Sequence, residues 1–162
     1  MSVAFRRESD EEHLEPKFEL PIPTGPNLVT RAGKALIETR IAALKQALEQ
    51  ALAQAGAEAV DAIRRDLRYW QTRRTTAVPT AAPADGSAGF GTRVQVTIGG
   101  RERAIAIVGD DEADPRADRL AFGAPLARAL IGAEPGDILP FGGRDDAIEV
   151  VAVEPIDAVE PS

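Results

Sequence analysis

Glu58 and Asp61, in the stretch AGAEAVDAIRR, stand three residues apart. On a helix that spacing puts both carboxylates on one face. A second acidic group, IVGDDEAD, crowds Asp110, Asp111, Glu112 and Asp114 into five residues directly after an apolar run. Four such carboxylates could hold a cation. Pro115 and the polar flanks argue instead for a solvated turn, since a run of like charge is usually exposed. A third group is basic: Arg64, Arg65, Arg68, Arg73 and Arg74. Arg64 and Arg68 are i, i+4 neighbours and make part of one stripe. A stripe of this kind can meet phosphates or an acidic wall, or it can be a solvated face pairing with Glu38 or Asp66.

Little else in the chain can do chemistry. The single histidine, His13, lies in a polar N-terminal stretch, and the serines are Ser2, Ser9, Ser87 and Ser162. Nothing around them would hold a Ser–His–acid set together. The absence of cysteine excludes disulfides and thiolate metal sites. No glycine-rich phosphate loop follows a strand and opens a helix. The N-terminus lacks the apolar core of a signal peptide, and no apolar run is long enough to cross a bilayer. A cytoplasmic protein with no membrane partner is expected.

The net charge of −7 is unevenly spread. Residues 28–78 carry nine basic and five acidic side chains, whereas 1–27 and 79–162 are both net acidic. Broad coating of nucleic acid wants a net basic surface and is disfavoured; a local footprint on the middle segment is allowed.

The elements that would position these groups fall into segments. Residues 1–27 are charged and then proline-rich, with Pro16, Pro21, Pro23 and Pro26 forbidding a continuous helix. They read as a disordered tail, solvated or laid on a partner through Phe18, Leu20 and Ile22. In 28–78, Thr30 can cap a helix. Ile37, Ile41, Leu44, Leu48, Ala51 and Ala55 then follow the spacing of a coiled-coil seam, which resumes after Gly56 with Val60, Ile63, Leu67 and Trp70. Two heptad helices joined this closely must fold back antiparallel, the first running about 26 residues or roughly 39 Å. Tyr69 and Trp70 are adjacent, so at most one faces the seam.

Residues 79–88 read as a proline, alanine and glycine linker. In 89–156 the apolar period changes to two: FGTRVQVTI and RERAIAIVG flank Gly99-Gly100 as a hairpin, and Gly142-Gly143 reads as a second turn. RLAF, GDILPF and DAIEVVAVEPI supply further strands, and APLARALIG a short helix with proline at its first turn. The expected class is α+β: a helical hairpin, then an antiparallel sheet domain with one short helix.

FGTRVQV, IVGDDEAD, APLARALIGAEPGD and AIEVVAV occur in this order after a hairpin that opens LVTRAGKAL. In sequence and architecture, residues 28–154 resemble the bacterial Gre transcript-cleavage factors, GreA and GreB. The resemblance implies an FKBP-like C-terminal domain that docks on RNA polymerase at the rim of its secondary channel, with the hairpin entering the channel. It implies a cytoplasmic, monomeric factor with no cofactor of its own, Mg²⁺ entering only as the polymerase's catalytic ion. It places polymerase contact at Gly123, Ala124, Pro125 and Leu126, where the family often has an acid and a serine before the proline.

The family also carries two acids three residues apart, in a motif like D-L-S-E-N, at the hairpin tip, where they help hold the polymerase's second Mg²⁺. Here the motif is missing. Glu58 and Asp61 keep its spacing in reversed order, in a hairpin expected to be several turns shorter. They either assist the metal or merely solubilise the tip. Arg64, Arg65 and Arg68 would contact channel walls or RNA. The resemblance thus favours a factor that modulates polymerase, is not itself an enzyme, and stimulates cleavage weakly or not at all; the alternative is a working cleavage factor using Glu58 and Asp61. An FKBP-like fold also raises peptidyl-prolyl isomerase activity, but Phe90, Phe122 and Phe141 are the C-terminal half's only aromatics, few for an apolar pocket.

Overall fold

The computed structural model describes residues 19–54 and 56–157. Residues 1–18, with His13 and the first two serines, lie outside that range, as do Ala55 of the expected seam and residues 158–162. The chain divides into two compact units.

The first unit holds the hairpin from Ile37 to Thr76, while Pro26–Leu36, with the start of its first helix, belongs to the second. Helix α1 spans Arg31–Gln54 and helix α2 spans Ala57–Thr76. The 24 residues of α1 rise about 36 Å at 1.5 Å each. Ile37, Ile41 and Ala51 from α1, with Val60 and Leu67 from α2, are buried as the heptad spacing requires. Leu44, Leu48, Ile63 and Trp70 are half-buried. The Trp70 ring lies under the Arg40 guanidinium at 5.8 Å and meets Tyr69 edge-on at 5.2 Å. Within the stretch expected as a tail, Glu19 bonds Arg68, and Leu20 and Ile22 border the same groove along α2.

The second unit is built on a five-stranded sheet, with strands β3 (Thr92–Ile98), β4 (Arg101–Val108), β5 (Arg119–Ala121), β6 (Ile138–Phe141) and β7 (Arg144–Pro155) in the order β5-β4-β3-β7-β6. Both central residues of the Gly99-Gly100 turn have positive φ, as a two-residue hairpin connection demands. Val94, Val96, Ile105, Ile107, Ile148 and Val150 alternate onto one face, where the short helix α3 (Pro125–Leu130) buries Ala127 and Leu130. The sheet is not wholly antiparallel, as expected from sequence, but mixed. β5 pairs parallel to β4, because the chain between them crosses back through two 3₁₀ turns instead of a hairpin. An irregularity in the β3–β7 ladder places Val150 and Ala152 opposite consecutive residues and leaves Val151 between them, half-exposed.

The 79–88 stretch is tied down at both ends, unlike the free linker expected. Val78–Pro79 forms strand β2, paired parallel with β1 (Leu28–Val29). Ala88 is buried and exchanges backbone hydrogen bonds with Gly132 and Ala133. Between them, the Asp85 carboxylate accepts from the Ser87 hydroxyl at 2.7 Å and backbone N–H at 3.0 Å. Backbone hydrogen bonds from Thr80 to Val29 and from Ala88 to Ala133 hold the segment's two ends.

Candidate functional site

The acidic cluster at 110–114 is a structural joint, contrary to the solvated turn expected. Glu112 is buried. Its Oε2 accepts the backbone N–H groups of Thr30 at 3.3 Å and Gly109 at 3.2 Å, and its Oε1 accepts the Thr30 hydroxyl. Thr30 in turn caps α1, its Oγ1 accepting from the Gly33 N–H at 3.0 Å. This reproduces a capping box with the glutamate supplied from 82 residues away instead of from the third helical position. That third position is Gly33, where a Cβ would collide with the Glu112 carboxylate; at Gly109 a Cβ would collide with the Leu28 carbonyl. Asp114 caps the following turn through the Arg116 N–H. Among the described residues no three His, Cys, Asp or Glu side chains converge as metal ligands would.

The hairpin tip is different. Glu58 and Asp61 are both exposed, Glu58 in the first turn of α2. With Ala62 and Arg65 they line one small depression, on positions i, i+3, i+4 and i+7 of a single helix face. Two hard oxygen donors at an exposed tip suit Mg²⁺, although a pair can only complete a site whose other ligands come from elsewhere. Arg65, read from the sequence only as a member of the basic stripe, shares this face one turn after Asp61. A cation on the same helix face opposes recruitment of a divalent ion.

The basic stripe is partly engaged. Arg64 is exposed, Arg65 lies 3.8 Å from Asp66, and Arg68 grips Glu19. Arg73 is buried and Arg74 exposed.

At the start of α3, Pro125 occupies the first helical turn behind Ala124, which caps without a side-chain bond. Gly123 and Pro125 are exposed, whereas Ala124 and Leu126 pack against the sheet core. The four residues therefore share one turn, but only two of them face outward. In the same unit Phe90 is buried edge-on to Phe122 at 5.7 Å, so this aromatic pair does not line an open pocket.

Residues 83–155 match the family described as "Transcription elongation factor, GreA/GreB, C-term". The chain is 34% identical over 158 residues to the transcription elongation factor GreA of Pseudomonas putida, covering 95% of this chain and 93% of that protein. It is 43% identical over 79 residues to the GreA of Neisseria meningitidis serogroup A, covering 44% of this chain and 50% of that one. The crystal structure of GreA factor homolog 1 from Thermus thermophilus matches at a TM-score of 0.37 and 17% identity, over 80% of this chain and 99% of that one.

Proposed function

The chain belongs to the GreA/GreB family of transcription elongation factors, and on that premise we propose that it is a regulator of RNA polymerase that works at the secondary channel with weak or absent stimulation of transcript cleavage. It acts on the polymerase and is not itself an enzyme. The exposed turn at Gly123 and Pro125, with Ala124 and Leu126 behind it, is the docking element. The hairpin carries Glu58 and Asp61 toward the polymerase's catalytic ions, with Arg64, Arg65 and Arg68 meeting the channel wall or its RNA.

One observation carries the choice of modulation over cleavage: Arg65 shares its helix face with Glu58 and Asp61. In the family's chemistry a second Mg²⁺ stabilises the charge that develops at the scissile phosphate. This chain's part is to lend carboxylate ligands, and a guanidinium on the same helix face repels an incoming cation. Glu58 and Asp61 are nevertheless exposed and correctly spaced, which keeps the cleavage-factor reading as the second one. Phe90, buried edge-on against the half-buried Phe122, gives the isomerase reading no support.

The test is RNA cleavage by backtracked polymerase over a Mg²⁺ titration. The expected result is binding with little stimulation. Robust stimulation that disappears in a Glu58→Ala/Asp61→Ala double variant would make this a working cleavage factor.

A further inference from the structure

The α2 face that carries Arg68 is partly occupied by the chain's own N-terminal segment. Glu19 Oε1 accepts from Arg68 Nε at 2.8 Å and lies 2.8 Å from its second guanidinium nitrogen. Leu20 and Ile22 border one groove with Arg68, Tyr69 and Thr72. The segment therefore presents a carboxylate and then two alternating apolar side chains to a basic, partly apolar helix face. Pro21 and Pro23 stiffen it in an extended form, which lowers the entropy lost on laying it down. The Glu19–Arg68 pair is half-exposed, and contacts of this kind are weak and screened by salt.

We propose that Glu19–Ile22 is a built-in strap, an intramolecular competitor for the acidic partner surface that Arg68 would meet. The inference rests on the reading that the α2 arginines contact polymerase. The strap occupies the guanidinium until a stronger acidic surface displaces it. Its weakness is what makes it displaceable, and it sets how readily the hairpin engages.

Affinity for core RNA polymerase tests this in the full chain, comparing wild type with Glu19→Gln at low and high salt and repeating both in an Arg68→Ala background. Glu19→Gln is expected to bind about two- to fivefold more tightly at low salt, the range of one exposed ion pair. The gain is expected to vanish at high salt and in the Arg68→Ala background. Equal affinity of Glu19→Gln and wild type at low salt, or a gain that survives Arg68→Ala, overturns the strap and leaves the functional reading standing. Absence of any binding by the wild type removes both.

Discussion

Glu112 closes over the N-terminus of a helix that begins 82 residues earlier, holding the backbone and hydroxyl of Thr30 with its two carboxylate oxygens. A buried carboxylate is tolerated because three donors converge on it, two of them from Thr30 and one from Gly109. Removing it leaves those donors without their acceptor. Glu112→Ala is expected to destabilise the protein by roughly 2–3 kcal/mol, the usual cost of losing buried hydrogen bonds to a charged group. Glu112→Gln should lose less, since one oxygen acceptor remains. Chemical denaturation measures both, and an unchanged midpoint in the alanine variant would mean that the joint contributes nothing to folding.

Gly33 offers a sharper version of the same test. In most helix interiors glycine to alanine gains about 1 kcal/mol. Here the added methyl would run into the Glu112 side chain, so Gly33→Ala is expected to destabilise. With Glu112→Ala already present, the same change should become neutral or favourable. A double-mutant cycle detects this reversal, and simple additivity would show that the two residues do not compete for space.

For docking, Gly123→Arg is the better probe than Leu126→Asp. Leu126 packs against the sheet core, so a charge there perturbs folding as well as binding. A Cβ on Gly123 meets nothing within 4 Å. The variant should keep its thermal midpoint and lose about tenfold or more in affinity for core polymerase, because a charge buried at a contact must be desolvated. Unaltered affinity would put the docking surface elsewhere.

Asp85 supplies a pH-dependent prediction. The Ser87 hydroxyl, and after it the Ser87 backbone N–H, hold its carboxyl below the usual aspartate value. A lowered carboxyl pKa favours the folded state above the unfolded-state value, and that contribution is lost as pH falls through the lowered one. Ser87→Ala should raise the Asp85 titration midpoint toward the ordinary value, as followed by carboxyl-carbon NMR. A midpoint that does not move would assign the shift to some other group.

How much of this was legible beforehand depended on the range over which each interaction acts. Val94, Val96, Ile105 and Ile107 announced their hairpin through local alternation, and Ile37, Ile41 and Leu67 their seam through the heptad. The parallel pairing of β5 was hidden, because strand direction is decided by how the intervening chain is anchored, and that anchor is Glu112 on Thr30. The cluster around Glu112 looked solvated because local charge density says nothing of a donor set brought from a distant stretch. At the tip the carboxylate spacing was plain. Arg65 was read as part of the basic stripe alone, and its place on the acidic face, one turn beyond Asp61, went unread.

The parallel pairing of Leu28–Val29 with Val78–Pro79 sets the two roots of the hairpin one strand spacing apart, about 4.8 Å. An excursion of the chain that leaves and returns at neighbouring points is a cassette. Whole helical turns, about 5.4 Å each, can be added to or removed from both arms together without changing the joint they spring from. Reach thus becomes a quantity that evolution, or an engineer, can adjust independently of the sheet. A family built on this plan can diversify by changing the length and the tip of one insert.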